Sequence, residues 1–368
     1  MAGSADYKLG EYTFPRGWFM VAEGSAVTSE PISAHFFGED VVLYRGASGV
    51  VAMVGAYCAH MGTHLARSTH SFTVTSGHHV DGDSIRCPFH GWAYAPDGKC
   101  TDIPYFGGPI PRLARVRSWP VQERYGIVFC WNDPEGLDPD FDVPDIPEWD
   151  DPAWMRWTSV DHLADLPCHP IEVFDNNSDY AHLAYLHGGG ARIYENEVDG
   201  VVYRQRQSLV AESSEGLGAF DRDLGDDAVH VTTENGYVGP GLNLARFTEL
   251  GAVQLIATTP TDDGAARLWQ CAMVKRPEGV TDQQAAQLLS GINQGFAHGL
   301  GAQDGEVWVN KKPAIKIMQM PTDGPFRVGR TWYSQFFNPR RRAETILGPI
   351  VGLHHVPGVP GFDATAAV

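Results

Sequence analysis

The 368-residue sequence lacks several features that would assign it to common protein classes. It has no apolar run near the roughly 18 residues that a membrane-spanning helix requires, so we expect no membrane segment. Its N-terminus has no apolar core like that of a signal peptide, which favours a cytoplasmic location. A formal net charge of −18 argues against nucleic-acid binding, because phosphate affinity needs clustered Lys and Arg. Six cysteines do not make a disulfide scaffold in a chain this long.

The composition, with 43% hydrophobic and 11% aromatic residues, predicts a globular protein. The length of 368 residues predicts two domains. Residues 14–131 contain short apolar runs separated by Gly and Pro, which predicts a small all-β domain. Residues 132–152 are rich in Pro and Asp and are predicted to form a linker. Residues 153–368 combine strand-like runs with helical patterns at about 172–187 and 281–309. This mixture predicts an α+β domain in which helices cover an antiparallel sheet, and the run "RVGRTWYSQFF" is counted among its strands.

Two short motifs in the first domain contain a set of metal ligands. "YCAHMGTHLA" provides Cys58 and His60, and "CPFHGWAY" provides Cys87 and His90. Two thiolates with two imidazoles are the ligands of a Rieske [2Fe–2S] cluster, in which the sulfurs bind one iron and the histidines bind the other. Structural zinc is the alternative, although the C-x-H spacing is unusual for zinc fingers. We expect each pair of ligands to lie in a tight loop at the tip of a hairpin.

The second half of the chain contains a possible mononuclear site in "DNNSDYAHLAYLHGGG", residues 175–190. On an ideal α-helix His182 and His187 would point about 140° apart. A π-bulge in the last turn before the three glycines would bring the two rings together, and we predict one there. Two histidines with one carboxylate form the facial triad of non-haem Fe(II) oxygenases.

Carboxylates near these histidines have two predicted roles. Asp304 and Glu306, on the later helix, are the candidates for the third iron ligand. Asp179 lies on the same side of a helix as His182, so its carboxylate could hold that ring. Its other oxygen could reach a Rieske histidine and so form an electron path, although a purely supporting role for Asp179 fits the sequence equally well.

Together these motifs resemble the oxygenase component of Rieske non-haem iron oxygenases. Asn176, Asp179, His182 and His187 match the family pattern N-x-x-D-x-x-H-x-x-x-x-H. Similarity to the 3-ketosteroid 9α-hydroxylase oxygenases is the strongest, through the segments "DGKCTDIPY", "PRLARVRSW", "IPEWDDPAW", "YVGPGLNLARF", "QDGEVWVNK" and "DGPFRVGRTWYSQFF". The resemblance implies that Asp304 of "QDGEVW" is the iron ligand. One departure is the stretch between the Rieske motifs, which is enlarged at residues 68–80 and is expected to form a longer hairpin or flap.

The resemblance also implies an architecture, an activity and partners. It implies a helix-grip catalytic domain and a head-to-tail homotrimer, in which Asp179 bridges His90 of one chain to His182 of the next. It implies a terminal monooxygenase that hydroxylates a steroid-like or other polycyclic hydrophobic substrate with O₂. Because the sequence has no G-x-G-x-x-G fingerprint, electrons from NAD(P)H must come through a separate reductase, directly or through a ferredoxin. The basic segment "RLARVR" (112–117), with Arg86, Lys99 and Arg124, is a hypothetical docking patch for this acidic partner.

The same ligand residues are compatible with other functions. A Rieske O- or N-demethylase, or an aromatic-ring oxygenase for a smaller substrate, would use the same ligands. A Rieske electron carrier would use the cluster alone. Candidate residues for an apolar substrate pocket are Tyr194, Phe220, Tyr237, Leu242, Asn243, Phe247 and Trp308.

Overall fold

The computed structural model describes residues 1–211 and 229–362. The chain forms two compact units, one of residues 18–139 and the other of residues 1–17 with 140–368. The boundary at residue 139 falls inside the segment predicted to be a linker. Within the described residues, no helix combines the length and the apolar character that crossing a bilayer would require. Phe220 of the predicted pocket lies outside the described residues.

The smaller unit, here the Rieske unit, is built from three antiparallel sheets with the strand orders β1-β11-β10, β2-β3-β4-β9 and β5-β6-β7-β8. Its strands are β1 (Gly17–Glu23), β2 (Ile32–Phe36), β3 (Glu39–Arg45), β4 (Val51–Gly55), β5 (Val80–Asp81), β6 (Ser84–Arg86), β7 (Ala93–Tyr94), β8 (Cys100–Asp102), β9 (Ser118–Trp119), β10 (Val121–Arg124) and β11 (Ile127–Asn132). The enlarged stretch 68–80 contains a one-turn helix, α1 (Phe72–Thr75), whose first turn is capped by the Ser71 hydroxyl.

The larger unit, here the catalytic unit, is built on a nine-stranded sheet with the order β12-β19-β18-β17-β16-β15-β14-β20, in which β13 also pairs with β19. Its strands are β12 (Trp154–Met155), β13 (Asp161–Leu166), β14 (Gly190–Asp199), β15 (Val202–Ala211), β16 (Val229–Val238), β17 (Leu242–Phe247), β18 (Ala252–Asp262), β19 (Ala265–Lys275) and β20 (Gly352–His355). Its α-helices are α2 (Ile171–Phe174), α3 (Ala181–Tyr185), α4 (Asp282–Ala297), α5 (Gly305–Asn310), α6 (Phe326–Ser334) and α7 (Ala343–Leu347). The α+β prediction is confirmed.

A long helical segment runs from 282 to 310, close to the predicted range. Thr281 begins it with a capping box, because its hydroxyl accepts from Gln284 N–H while the Gln284 side chain accepts from Thr281 N–H. The middle of the segment, His298–Asp304, is a π-helix between α4 and α5. The number of residues per helical turn therefore increases in the turns that bring Asp304 into position.

The prediction of a strand at "RVGRTWYSQFF" is wrong, because most of this run forms α6 and the short 3₁₀ turn Gln335–Phe337. Phe326, Gly329, Trp332 and Tyr333 are its buried residues, and their spacing of three and four places them on one helical face. The aromatic and β-branched composition favoured a strand, but packing of this face against Phe174 decided the outcome, with the Trp332 and Phe174 rings stacked at 5.1 Å.

Candidate functional site

Two loops of the Rieske unit have nearly the same backbone pattern. In the first, Gly62 N–H donates to Cys58 C=O at 2.9 Å, and in the second, Gly91 N–H donates to Cys87 C=O at 3.0 Å. Both glycines have a positive φ, +71° and +75°, which a residue with a Cβ adopts only with strain. Each Cys–x–x–x–Gly turn is therefore fixed by short-range contacts, as expected for loops at hairpin tips.

These loops bring the four predicted ligands together. The His60 and His90 rings are 4.7 Å apart between centroids. A hydrogen bond between the thiols of Cys58 and Cys87 lowers the pKa of Cys58 to about 5 and raises that of Cys87. Both cysteines are buried, and His60 Nδ1 is a buried atom without a hydrogen-bond partner in the described part of the chain. Two adjacent thiols and an orphaned imidazole nitrogen fit a cluster that binds sulfur ligands on one side and nitrogen ligands on the other.

Neighbouring aromatic side chains support these ligands, and the sequence motifs did not single them out. The Tyr94 hydroxyl lies 3.1 Å from Cys58 Sγ and accepts from Ala59 N–H at 3.1 Å. The Trp92 ring stacks on His60 with centroids 4.6 Å apart and planes 5° apart. Hydrogen bonds to cluster sulfurs and the burial of a cluster are two means by which a protein tunes the cluster's potential.

The second group of ligands forms in the catalytic unit. His182, His187 and Asp304 each offer a ligand atom, and these atoms all lie within 4.8 Å of one another. His187 Nε2 is 3.4 Å from Asp304 Oδ2, and Asp304 is only 5% exposed. Burial disfavours the charged form of His187, but the hydrogen bond and charge of Asp304 outweigh burial and raise the pKa of His187. The arrangement offers two nitrogen atoms and a carboxylate to one cation and fits a mononuclear iron. Glu306, the competing candidate, is exposed.

The predicted π-bulge between His182 and His187 is wrong. Helix α3 ends at Tyr185, and His187 lies beyond it in a turn that precedes Gly188, whose φ is +73°. The two rings meet with centroids 5.3 Å apart because the helix stops, so the chain can change direction between them. The π-helix occurs instead on the segment that carries Asp304. A five-residue spacing indicated an irregular helix, but it did not reveal which irregularity would occur.

The predicted helix over 172–187 is also interrupted before His182. Helix α2 is followed by a 3₁₀ turn, Asp175–Ser178, and Asp179 is extended with φ −100° and ψ 99°. Two glycines allow another segment to approach closely here. A Cβ at Gly324 would lie 1.8 Å from the Ser178 carbonyl oxygen, and one at Gly329 would lie 2.2 Å from Ser178 Oγ. This close packing fixes the segment that leads into the metal ligands.

Each ligand of the mononuclear group has an orienting hydrogen bond. His182 Nδ1 donates to the Asp179 carbonyl oxygen at 2.6 Å, and His187 Nδ1 donates to Gln303 Oε1 at 2.9 Å. Both Nε2 atoms are thereby left for a metal. Asn176 Nδ2 donates to Asp304 Oδ1 at 2.9 Å. Gln303 was missed in the sequence, although it immediately precedes the carboxylate ligand.

The contacts of Asp179 with His182 differ in detail from the prediction. Its backbone carbonyl holds the His182 ring, whereas its carboxylate accepts from His182 N–H at 3.1 Å and lies 3.8 Å from His182 Nδ1. The Asp179 side chain remains 28% exposed.

Most of the predicted pocket residues share the face of the sheet that packs against the helices. Tyr194, Tyr237, Asn243 and Phe247 lie on this inner face by strand register, and Phe247 stacks on Phe296 of α4. Leu242 lies on the opposite face, because it is adjacent to Asn243 in a strand. Trp308 is buried beside Leu268, on the helix that follows Asp304.

Comparison with known proteins gives two family matches. Residues 17–120 match the Rieske [2Fe-2S] domain, and residues 130–337 match the 3-ketosteroid 9α-hydroxylase C-terminal domain. The chain is 32% identical to a probable 3-ketosteroid-9-alpha-monooxygenase oxygenase component of Rhodococcus rhodochrous, over 88% of this chain and 80% of that protein. It is 35% identical to cholesterol 7-desaturase of Caenorhabditis elegans, over 88% and 77% of the two chains. Among solved structures, dicamba monooxygenase bound to dicamba has a TM-score of 0.61 at 16% identity, covering 92% of this chain and 99% of that one.

Proposed function

The chain belongs to the 3-ketosteroid 9α-hydroxylase family of Rieske oxygenases, and we propose that it hydroxylates a steroid-like, polycyclic substrate with O₂. The predicted family, enzyme class and two iron cofactors are confirmed. The chain is an oxygenase component, and such a component requires a separate reductase.

The observation that carries the proposal is the convergence of His182, His187 and Asp304 in a chain that also contains the Rieske ligands. When bound, a Rieske cluster supplies single electrons, and an iron held by two histidines and a carboxylate has open positions for O₂. This combination argues against a simple electron carrier, which has no use for the second group. We assign Cys58, His60, Cys87 and His90 to the cluster, and the other three ligands to the mononuclear iron.

The protein's own groups prepare the mononuclear site by fixing its ligands. The carbonyl of Asp179 and the side-chain oxygen of Gln303 hold the two imidazoles in the tautomer that leaves Nε2 free. The amide of Asn176 restrains one oxygen of Asp304, so the other faces His187. The ligands are thereby preorganised before any substrate arrives.

A steroid-like substrate is favoured by the relatives. Both curated relatives are named for steroids or a sterol, while they differ in the named reaction. Dicamba monooxygenase shares the fold at low identity and says nothing of this chain's substrate. The inner face of the sheet carries the aromatic side chains of Tyr237 and Phe247, consistent with a flat apolar ring system.

A head-to-tail homotrimer with electron transfer through Asp179 is part of the proposal. In the Rieske unit the two cysteines are buried, whereas His60 and His90 are partly exposed. Apolar side chains near them are exposed, namely Tyr57, Met61, Phe89, Tyr105 and Phe106, by 51–65%. An exposed histidine edge surrounded by apolar side chains is suited to contact with another subunit. The partly exposed carboxylate of Asp179 would accept a hydrogen bond from His90 of that subunit.

The test is a substrate panel, with oxygen uptake and product mass as readouts. The purified chain and a surrogate reductase receive a 3-ketosteroid, a sterol and a methoxybenzoate in separate reactions. We expect the 3-ketosteroid product to gain one oxygen atom. Loss of two hydrogens from a steroid would indicate desaturation, and formaldehyde release from the methoxybenzoate would favour the demethylase alternative. Either result, without steroid hydroxylation, would contradict the proposal.

A further inference from the structure

The inner face of the catalytic sheet carries a row of side chains that crosses five strands. The register aligns Tyr203 with Tyr237, Tyr237 with Asn243, Asn243 with Ile256, and Ile256 with Gln270. Residues directly opposite one another in antiparallel strands project on the same face. Asn243 therefore lies at the centre of the row.

One end of this row packs against the segment that leads to the histidine ligands. The rings of Tyr203 and Tyr237 each lie 5.1 Å from the ring of Phe174 in α2. The Tyr203 hydroxyl is also 2.7 Å from Ser178 Oγ, just before Asp179.

The other end packs against the helix that carries Asp304. Ile256 belongs to an apolar cluster with Leu300 and Trp308, which lie four residues before and four residues after Asp304. Asn243 therefore lies, along the row, between Tyr237, which packs on the histidine-bearing segment, and Ile256, which packs on the Asp304 segment.

Two oxygen atoms of neighbouring strands on this face are buried without a partner among the described residues. Asn243 Oδ1 and Thr258 Oγ1 make no hydrogen bond to any described residue. Asn243 and Thr258 are each only 2% exposed. Thr258 follows Ile256 by two positions on the same face, so it is the diagonal neighbour of Asn243 at about 7 Å. Buried polar atoms are nearly always paired, so an unpaired pair points to a ligand group.

Nearby amides on the same face are paired within the protein. Gln205 Nε2 donates to Gln207 Oε1 at 2.9 Å, and Gln254 Nε2 donates to Gln270 Oε1 at 2.6 Å. Gln270 Nε2 donates in turn to the Asn293 carbonyl of α4 at 3.1 Å. Asn196 Oδ1 and Thr233 Oγ1, on the same face by strand register, are also buried without a partner among the described residues, although Asn196 Nδ2 donates to the Asn177 carbonyl.

We infer that Asn243 and Thr258 bind an oxygen substituent, a hydroxyl or a carbonyl group, of an otherwise apolar substrate. This inference rests on the proposed function and deepens it. A hydroxyl would donate to Asn243 Oδ1 and accept from the Thr258 hydroxyl, whereas a carbonyl would accept from Thr258 and from the rotated amide of Asn243. The two residues determine specificity by orienting the ring system relative to the metal ligands.

The binding test uses three steroids that differ only at one end, where they carry a hydroxyl, a ketone or a methylene group. Dissociation constants are measured for the wild type, Asn243→Leu and Thr258→Val, all with full iron content. We expect the wild type to bind at least one oxygenated steroid about tenfold more tightly than the methylene analogue, because each unmade hydrogen bond leaves a buried polar group unpaired. Both variants should lose most of this preference, and the preferred oxygen group identifies the ligand chemistry. An equal weakening for all three steroids would overturn the inference.

A stability measurement decides the same question without substrate. Because Asn243 Oδ1 has no partner among the described residues, Asn243→Leu should leave the melting temperature unchanged or raise it. The matched control, Gln254→Leu, should lower it, because it leaves Gln270 Oε1 without its donor. A decrease in Asn243→Leu equal to that of the control would mean that Asn243 is paired within the fold or to a resident water, and would overturn the inference. Failure of all three steroids to bind the wild type would contradict the steroid substrate instead.

Discussion

The two metal-binding regions of this chain are assembled in different ways. In the Rieske unit, all four ligands lie in two loops with matching backbone hydrogen bonds, each closed by a glycine four residues after its cysteine. In the catalytic unit, His187 and Asp304 are 117 positions apart and lie on an irregular turn and a π-helix. The first site is determined by local turns, whereas the second depends on how separate segments pack.

This difference has a consequence for the supporting residues. The Rieske loops hold their ligands through short-range contacts such as Cys87 N–H to the Trp92 carbonyl at 2.8 Å. His182 is held locally by Asp179, but the other two mononuclear ligands are held by distant partners, as when Asn176 bonds Asp304 across 128 positions. We therefore expect the mononuclear site to be the more sensitive of the two to substitutions that leave the ligands themselves intact.

The largest effect is expected from removing a mononuclear ligand, which should abolish activity without affecting the Rieske cluster. His182→Ala removes a mononuclear ligand, so turnover should be abolished while the visible spectrum of the cluster remains. Iron analysis should give about two irons per chain in place of about three.

The reciprocal control is Cys87→Ala, which should remove the visible spectrum and leave about one iron per chain. Turnover by His182→Ala, or loss of its cluster spectrum, would contradict the assignment of separate sites.

An acid-dependent loss of stability is expected in the catalytic unit. Burial lowers the pKa of His169 from about 6.5 to about 4, and its Nδ1 accepts from Ile171 N–H. Between these values the unfolded chain binds more protons than the folded chain, so the free energy of unfolding falls as the pH falls from about 6.5 to about 4, by at most about 3 kcal/mol. Urea denaturation at several pH values measures this slope.

His169→Gln should flatten the acid limb of that profile, whereas His70→Gln, at an exposed position, should preserve it. An unchanged slope in His169→Gln would show that other groups cause the acid sensitivity.

A smaller effect is expected from substituting a residue that orients a mononuclear ligand from a distant part of the chain. Gln303→Leu removes the acceptor for His187 Nδ1, and iron affinity should fall by about 10- to 100-fold. Competition with a chelator, followed by iron analysis, measures this change.

Gln303→Glu retains an acceptor oxygen and should retain iron far better than Gln303→Leu. Equal losses in the two variants would indicate that Gln303 acts through packing and not through its hydrogen bond.

The smallest expected effect concerns the electron supply to the Rieske unit. Of the proposed basic patch, Arg86, Lys99 and Arg117 are paired with acidic side chains, while Arg112 and Arg115 form no ion pair with any described residue. Arg112→Glu with Arg115→Glu should lower reductase-coupled turnover a few-fold at low salt, because rim charges mainly affect association rates. Chemical reduction of the cluster should be unaffected.

The charge-conserving variant, Arg112→Lys with Arg115→Lys, is the control and should behave like the wild type. If the double Glu variant retains normal coupled turnover, the docking patch lies elsewhere.

Several predictions from the sequence were correct because they depended on local chemistry. The spacing of cysteines, histidines and glycines predicted the Rieske loops, and the helical pattern predicted the long segment that carries Asp304. Predictions about irregular backbone were less accurate. The π-helix occurs on the Asp304 segment and not at His187, and "RVGRTWYSQFF" is mostly helical because its buried face packs on Phe174.

The sequence by itself determined which chemical groups are available: two Cys–His loops, two histidines and a following carboxylate, in an order that matches one enzyme family. Only the tertiary structure decided which groups meet. Gln303 orients His187, the close approach of Gly324 and Gly329 fixes the segment before His182, and residues 1–17 pack with the catalytic unit. These contacts join positions far apart in the chain, and the burial that stabilises them is a property of the whole fold, so no short motif encodes them.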